Sequence, residues 1–282
     1  MPLLECVGLS RSFGGLRALR DVDLSVEVGE VVGLIGPNGA GKTTLLNLVS
    51  GLDRSDSGSI LFRGEELSRS GPERRAALGL ARTFQSGRTF LNLSVRDNVL
   101  LGAHARRAAS RSGAARWAIE LAEALLRPAS LRAEEERLEA EAAELLGGFG
   151  ERLAPRAADK AYVLSYANRR RLEIARALAS RPALLLLDEP TAGMNPSETL
   201  ETLEYLRALK ARGQAMLVIE HKLPLVLGIS DKLVAMDEGR KIAEGGPDEV
   251  IRDQRVVEAF LGKASPKAGP EAGHMGPASE ED

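Results

Sequence analysis

The sequence predicts an α/β fold organised around a parallel β-sheet, and three stretches of the chain indicate it. Val31–Ile35 is apolar throughout, as in a strand that a parallel sheet buries on both faces. A glycine-rich segment follows it, and Thr43–Ser50 then has helical character, with Gly51 placed to cap its end. Ala183–Leu187 is a second apolar strand, followed by two carboxylates. A strand, a glycine loop and a helix in this order are what a phosphate-binding site requires.

The first 30 residues predict antiparallel strands instead. Apolar and polar positions alternate in two short blocks, Leu4–Leu9 and Ala18–Val28. In the second block four apolar residues fall on one side of the period-2 pattern: Val22, Leu24, Val26 and Val28. This pattern is typical of strands with one face in water.

Residues 94–165 are predicted to be mostly helical. Within them, Leu131–Leu146 places its leucines on one stripe and glutamates elsewhere, the pattern of an amphipathic helix. Four arginines lie just before it: Arg106, Arg107, Arg111 and Arg116. They form either a solvated helix face or a docking surface for a partner, and the sequence leaves both open.

The α/β alternation returns after Leu164. The expected helices are Arg169–Ser180 and Ser197–Arg212, and the expected strands after Ala183–Leu187 are Met216–Glu220, Lys232–Met236 and Lys241–Ala243. From about Ala264 the chain is rich in Pro, Gly, Ala and charge without periodicity, which predicts a disordered tail. No internal repeat is visible, so the sequence predicts one unit rather than two fused ones.

The composition is that of a soluble globular protein. Hydrophobic residues make up 44% and charged residues 28% of the 282. The formal net charge of −2 argues against a dominant electrostatic attraction to nucleic acid or to an anionic membrane surface. The single cysteine, Cys6, is expected in the core and suits a reducing compartment. With no secretory signal and no run of about 20 apolar residues, the chain is expected to work at a membrane only by docking onto a spanning partner.

Residues 36–43 match the pattern G-x-x-x-x-G-K-[ST] of a phosphate-binding loop. Glycines let the backbone curl so that successive N–H groups point at phosphate oxygens, and the following helix presents the positive end of its dipole. Lys42 is a mobile charge for the β- and γ-phosphates of ATP, and Thr43 offers a hydroxyl to Mg²⁺. The candidate nucleotide-binding residues here are Gly36, Pro37, Asn38, Gly39, Ala40, Gly41, Lys42, Thr43 and Thr44.

Two carboxylates, Asp188 and Glu189, end the second apolar strand. Ligands of parallel sheets bind at the carboxyl ends of the strands, so this strand carries both acids to the edge where a ligand lies. Asp188 is the candidate for the magnesium shell. Glu189 points in a different direction and is the candidate base that polarises a water for attack on the γ-phosphate. Together with the phosphate loop, the pair predicts a magnesium-dependent ATPase.

Taken in order, these motifs resemble the ATP-binding subunits of ABC transporters over roughly residues 4–262. The resemblance implies a P-loop NTPase fold with a parallel core sheet, an N-terminal antiparallel β subdomain and a helical subdomain. The expected boundaries are an ATPase domain over residues 1–263, the helical subdomain inserted at about 86–165, and the tail over 264–282.

The resemblance also assigns residues that the motifs alone do not. Phe13 lies where the family stacks an aromatic ring on adenine, and Gln85, in ARTFQ, matches a glutamine that contacts magnesium and the attacking water. His221 matches the switch histidine that reaches the γ-phosphate, and Ser165, in LSYAN, occupies the family's signature position. The loop Gly193–Pro196 stands where two ATPase subunits join.

Finer stretches are similar to the ATPase subunits of branched-chain amino acid importers, among them RSFGGLRAL, ARTFQ, RRRLEIARAL, DEPTAGMNP and IEHKLPLVLGISDKLVAMDEGRKIAEGGPDEV. This resemblance implies that ATP hydrolysis powers import of branched-chain or other amino acids. Close relatives serve urea and other amides, and an exporter of lipopolysaccharide has a similar ATPase. The sequence leaves these alternatives open.

The resemblance implies a mechanism and a set of partners. Two ATPase subunits, in a homodimer or a heterodimer, sandwich two ATP molecules, and each phosphate loop faces the other subunit's signature segment. Transmembrane permease subunits bind the pair, and a solute-binding protein acts indirectly; nucleic acid is not expected. The chain is then cytoplasmic and peripheral on the inner face of the cell membrane.

One position departs from the pattern of this branch. The signature there usually ends in Gly-Gln or Gly-Asp, whereas this chain has Ala167 and Asn168. A methyl group at that place is expected to crowd the partner's γ-phosphate, and only glycine freely adopts strained backbone angles. The sequence therefore raises the hypothesis of a weakened half-site: the signature segment that this chain contributes to the ATP site of the other subunit would bind less well.

Two other classes compete with a transport ATPase. A soluble ABC-type regulatory or genome-maintenance ATPase usually carries long coiled coils or two ATPase units, and this sequence shows neither. The near-neutral net charge also argues against a protein that clamps nucleic acid. A nucleotide kinase does not account for the segment around Ser165 or for the position of His221.

Overall fold

The computed structural model describes residues 1–83, 89–110 and 129–261. Its strands are β1 (Leu4–Phe13), β2 (Leu16–Val26), β3 (Val31–Ile35), β4 (Ser57–Phe62), β5 (Glu65–Glu66), β6 (Leu80–Arg82), β7 (Leu184–Asp188), β8 (Ala215–Ile219), β9 (Lys232–Asp237) and β10 (Arg240–Gly245). Its helices are α1 (Lys42–Ser50), α2 (Pro72–Ala77), α3 (Val95–Ser110), α4 (Ala129–Gly147), α5 (Tyr166–Ala179), α6 (Pro196–Ala211), α7 (Leu223–Ile229), α8 (Pro247–Val250) and α9 (Gln254–Leu261). Three 3₁₀ turns precede α5, at Gly150–Arg152, Ala154–Arg156 and Ala161–Val163.

The strands form two sheets. The larger has the order β10-β9-β3-β8-β7-β6, and its neighbours are parallel except at the edge, where β10 is antiparallel to β9. The smaller sheet is antiparallel, in the order β2-β1-β4-β5. The predicted parallel core sheet and N-terminal antiparallel sheet are both confirmed.

The strands of the large sheet are buried as their apolar sequences predict. Every residue of β3, β7 and β8 is buried. One face of the sheet shares a hydrophobic core with α1 and the small sheet, to which Leu34 and Phe62 belong. The other face packs against the helices, where Leu187 meets the core that contains Leu172. Burial on both faces leaves only the strand ends open to a ligand.

The small sheet follows the predicted alternation with one correction. Val22, Leu24 and Val26 are buried, whereas Val28, expected on the same face, is exposed because β2 ends at Val26 and a turn follows. Cys6 is buried as predicted, and its burial raises the pKa of the thiol to about 12. The thiol is therefore protonated at neutral pH.

The helical region also agrees with the sequence in outline. In α4, Leu138 and Leu146 lie on the buried stripe. α5 begins at Tyr166 rather than at Arg169, because the Ser165 side chain caps it. None of the described helices combines the length and the apolar composition that crossing a membrane requires.

The structure contains elements that the sequence pattern did not predict. The sequence pattern gave no elements between Gly51 and residue 93, where the structure has β4, β5, α2 and β6. These elements are short, and short segments carry too few residues for a period to show. The side chains of the four arginines at 106, 107, 111 and 116, and the tail from Ala264, lie outside the described residues.

Candidate functional site

The phosphate loop connects β3 to α1 at the carboxyl edge of the large sheet. Two of its glycines are required by the backbone. Gly36 has φ 149° and Gly41 has φ 99°, in the region that favours glycine. A Cβ at Gly36 would lie 2.1 Å from the Met236 carbonyl oxygen, and one at Gly41 would lie 2.6 Å from that of Ala18. Any side chain at either place would push the loop out of its position.

Lys42 is buried at the start of α1 and contacts the loop that precedes it. Its Nζ donates to the carbonyl oxygens of Gly36, at 2.8 Å, and of Pro37, at 2.9 Å. Burial lowers the pKa of the lysine, and the charges of Glu189 and Asp188 oppose that shift. The ammonium is thus held inside the curl of the loop by groups that a phosphate can replace.

A cavity of about 700 Å³ opens beside this loop. Its lining brings together candidates that are far apart in the sequence: Phe13, Asn38, Gly39, Ala40, Gly41, Lys42, Thr43, Thr44, Glu189 and His221. Gly36 and Pro37 do not line the cavity, but their carbonyl oxygens accept from Lys42. Two cations that the sequence pattern did not single out, Arg17 and Arg20, also line it. A cavity of this size and polarity has room for a nucleotide.

Phe13 ends β1 at the mouth of the cavity, with 46% of its surface exposed. The guanidinium of Arg11 lies over its ring, 4.7 Å from the centroid, and forms ion pairs with Asp53 and Asp56 at 2.9 Å each. An exposed aromatic ring held in this way offers a flat surface to a base.

Asp188 is buried at the end of β7, with 1% of its surface exposed. Its Oδ2 accepts a hydrogen bond from Arg82, at 3.1 Å, whereas Oδ1 has no hydrogen-bond partner among the described residues. Burial raises the pKa of the carboxyl, and Arg82 opposes that shift. A buried oxygen without a donor is costly, so the position suits a cation.

The oxygen donors at this sheet edge are compatible with a magnesium ion that a nucleotide completes. Within the part of the chain that the structure describes, no group of three or more His, Cys, Asp or Glu side chains could hold a metal by itself. Mg²⁺ usually takes only one or two carboxylates and completes its shell with water and substrate phosphates. The unpartnered Oδ1 of Asp188 and the hydroxyl of Thr43, which lines the cavity, would supply donors of that kind.

Glu189 and His221 face each other across the cavity floor, with Glu189 Oε1 and His221 Nε2 2.8 Å apart. Glu189 has φ 50°, an unfavourable backbone for a residue with a side chain, at a cost of roughly 1–3 kcal/mol. Its N–H donates to the Ile219 carbonyl oxygen, at 2.9 Å, which ties the turn to β8. The strained turn sends the Glu189 side chain into the cavity, whereas Asp188 stays buried.

The two neighbours of His221 in the chain, Glu220 and Lys222, hold its backbone in place through hydrogen bonds. The sequence motifs did not identify them as site residues. The buried Glu220 accepts from the Thr191 N–H at 2.8 Å and from its hydroxyl at 2.6 Å. Lys222 Nζ donates to the Met194 carbonyl oxygen at 3.2 Å and to the Thr199 hydroxyl at 2.8 Å. The only feature of the sequence that could have identified Glu220 and Lys222 is their position directly beside His221. That position does not show which residues, more than 20 positions away in the chain, they bond.

The remaining predicted site residues lie elsewhere. Ser165 is not part of the cavity; its hydroxyl accepts from the Asn168 N–H, at 3.2 Å, and caps α5. Asn168 Oδ1 in turn accepts from Arg171, at 2.8 Å. Gln85 falls in residues 84–88, outside the described residues.

The structure places Ala167 in an ordinary helical backbone. Ala167 does not have a left-handed backbone, because it lies in the first turn of α5. It is 4% exposed, so its methyl group is already covered within the chain. The backbone strain that the sequence suggested at Ala167 is therefore absent, whereas crowding of a partner's γ-phosphate stays a prediction.

Models of two known protein families match parts of this chain. The family model described as "ABC transporter" matches residues 19–192. A second model, "Branched-chain amino acid ATP-binding cassette transporter", matches residues 240–265. The two matches leave residues 193–239 between them.

Curated relatives match over nearly the whole chain. The high-affinity branched-chain amino acid transport ATP-binding protein LivG of Escherichia coli K12 is 39% identical, over 93% of this chain and 99% of its own. BraF of Pseudomonas aeruginosa, named for the same kind of transport, is 38% identical over the same shares. A probable LivG of Archaeoglobus fulgidus is 36% identical, over 93% of this chain and 96% of its own.

Solved structures show the same fold. The ADP conformation of MJ1267, an ATP-binding cassette of an ABC transporter, is similar with a TM-score of 0.76 and 31% identity. The match covers 93% of this chain and 100% of that one. A nucleotide-free ATP-binding cassette from an ABC transporter gives the same TM-score, identity and coverage.

Proposed function

The chain belongs to the ABC transporter ATP-binding family, and on that premise we propose that it powers the import of branched-chain amino acids. It is an ATPase with the nucleotide-binding cassette of that family. The solute is inferred from the relatives named for branched-chain amino acid transport and from the C-terminal match at residues 240–265.

The observation that carries the proposal is the cavity that gathers the phosphate loop, Glu189 and His221 at one sheet edge. We propose that the loop N–H groups and Lys42 bind the phosphates and that the Phe13 ring stacks on adenine. Thr43 and Asp188 would hold a magnesium ion, whose charge would offset that of the β- and γ-phosphates.

The cleavage step is assigned to the two side chains that face each other. Glu189 accepts a proton from the attacking water, because it is the carboxylate that enters the cavity. His221 orients Glu189 through their 2.8 Å contact. By family resemblance, His221 would also contact the γ-phosphate. By family resemblance, we propose that Gln85 contacts the magnesium ion and the attacking water.

The partners follow from the family. We propose that the chain pairs with a second ATPase subunit, whose nucleotide is contacted by Ser165 of this chain. We further propose that transmembrane permease subunits bind the pair at the inner face of the cell membrane, and that a solute-binding protein delivers the amino acid. The exposed position of Ser165 outside the chain's own cavity supports a role toward a partner.

Amino acid uptake and ATP hydrolysis in matched variants test the proposal. In cells, Glu189→Gln should abolish uptake of labelled leucine, isoleucine and valine, since loss of a general base typically slows a reaction about 10²- to 10⁴-fold. In the purified complex, Glu189→Gln should still bind ATP, whereas Lys42→Ala should lose tight binding. Glu204→Gln, on the exposed side of α6, serves as the control and should behave as the parent.

Three results would contradict the proposal. Hydrolysis by Glu189→Gln within about threefold of the parent would place the base elsewhere. Unchanged turnover in Lys42→Ala would remove the phosphate-loop assignment. If cells with Glu189→Gln lose uptake of urea but keep that of leucine, isoleucine and valine, the transported solute is different from the one proposed.

A further inference from the structure

Arg82, the last residue of β6, joins three elements around the proposed magnesium site. Its Nη1 donates to two side chains of α1, Asn47 Oδ1 at 2.7 Å and Ser50 Oγ at 2.9 Å. Its Nη2 donates to Asp188 Oδ2 on β7, at 3.1 Å. The side chains of Arg82 and Asp188 are 6% and 1% exposed, so water does not compete for these bonds.

The spacing of the α1 partners links Arg82 to the phosphate loop. Thr43, Asn47 and Ser50 are separated by four and three residues, which places them on one stripe of the helix. The guanidinium is planar and its donors form a rigid fork, so fixing one arm on α1 also fixes the direction of the other. Arg82 therefore holds the Asp188 carboxylate relative to the helix that carries the Thr43 hydroxyl.

The fork also makes the two oxygens of Asp188 unequal. Oδ2 is occupied by Arg82, whereas the buried Oδ1 has no hydrogen-bond partner among the described residues. The neighbouring Thr83 hydroxyl accepts from the Asp188 N–H, at 3.3 Å, and holds the backbone of the same residue. One oxygen is thus oriented and the other left available.

We infer that Arg82 is a positioning residue for magnesium, which fixes Asp188 so that Oδ1 serves the ion bound with Thr43. This inference rests on the proposed function, since it concerns the same nucleotide site. Arg82 does not touch the nucleotide or the ion; it acts through the carboxylate. Outer-shell partners of this kind typically change metal affinity by about 10- to 100-fold when they are removed.

A binding measurement separates this role from a merely structural one. The purified chain is titrated with a fluorescent, non-hydrolysable ATP analogue, first in EDTA and then at increasing MgCl₂. Arg82→Gln should bind the analogue in EDTA within about twofold of the parent, but should need about 10- to 100-fold more MgCl₂ for half of the magnesium-dependent gain in affinity. Arg82→Lys, which keeps the charge without the fork, should show a shift in the same direction.

Two further variants test whether a raised MgCl₂ requirement comes only from a loss of folding stability. Arg171→Gln removes another buried arginine, which bonds Asn168 and Glu201 away from the cavity; its melting temperature should fall while its MgCl₂ requirement stays that of the parent. The double variant Asn47→Ala/Ser50→Ala frees the α1 arm and keeps the ion pair. It should raise the MgCl₂ requirement even if Arg82→Gln does not fold.

The outcomes distinguish the inference from the function on which it rests. If the parent chain binds no ATP analogue, or binds it without any gain from MgCl₂, the proposed nucleotide site itself is wrong. If the parent responds to MgCl₂ and every folded variant at Arg82, Asn47 and Ser50 responds within twofold of it, Arg82 has only a structural role. A raised MgCl₂ requirement in these variants but not in Arg171→Gln supports the inference.

Discussion

Individual residues at this site owe their positions to backbone constraints as much as to their chemistry. Gly36 and Gly41 adopt backbone angles and close contacts that exclude a side chain, and the loop can therefore curl around Lys42. Glu189 adopts a left-handed backbone despite its side chain, which turns it away from the buried Asp188. Adjacent carboxylates thereby acquire different surroundings and different proposed roles.

Ala167 gives a prediction at this scale. Because the residue is helical and 4% exposed, Ala167→Gly should leave ATP-driven dimerisation and hydrolysis of the assembled complex unchanged. It should lower the free energy of unfolding by at most about 1 kcal/mol, the cost of glycine in a helix. Steady-state hydrolysis and urea denaturation measure the two effects. A gain in ATP-dependent dimerisation would support the idea of a half-site weakened by the methyl group.

At the scale of elements, helix ends determine where site residues lie. α6 begins with a capping box, in which Asn195 Oδ1 accepts from the Glu198 N–H and the Glu198 side chain accepts from the Asn195 N–H. This box fixes the end of the loop from Gly193, which resemblance places at the junction of two subunits. The loop is also held by Lys222 through the Met194 carbonyl oxygen.

Removal of the cap should destabilise the chain measurably. Asn195→Ala should lower the free energy of unfolding by about 1 kcal/mol, the usual cost of replacing an Asn N-cap by alanine. Urea denaturation of the purified chain gives this value, and Glu204→Ala, an exposed substitution within α6, is the matched control. Equal stability of the two variants would show that the cap contributes nothing.

At the scale of the whole molecule, the site exists because β3, β7 and β8 present their carboxyl ends at one edge of the sheet. β3 leads into the phosphate loop, β7 ends at Asp188, and β8 is followed by Glu220 and His221. The hydrophobic cores on both faces of the sheet hold these ends in place. The C-terminal helix α9 belongs to a third core through Val256.

Because α9 packs in a core and the tail after it is predicted to be disordered, two truncations should give different results. Removal of residues 266–282 should leave the melting temperature and the ATPase activity of the complex unchanged, because that composition cannot bury enough apolar surface to offset its ordering entropy. Removal of residues 254–282 should lower the melting temperature, since it also deletes the buried Val256. Scanning calorimetry compares the two. A clear drop on the shorter truncation would show that the tail packs on the domain.

The sequence by itself determined the chemistry of this protein and the central strands that carry it. The spacing in the phosphate loop and the apolar runs before it and before Asp188 are local properties, and local patterns are visible in a single chain. The same reasoning predicted the two kinds of sheet and the stripe of α4 that contains Leu138.

Only the tertiary structure decided which distant residues meet. Arg82 and Asp188 are separated by 106 residues, and Thr191 and Glu220 by 29; no period or motif relates them. Their contacts arise because parallel strands bring residues remote in the chain to one edge, where burial removes water and leaves each polar group dependent on its neighbour. For the same reason the sequence did not show that Ala167 is buried in the first turn of α5, since that burial depends on packing that its neighbours in the chain do not reveal.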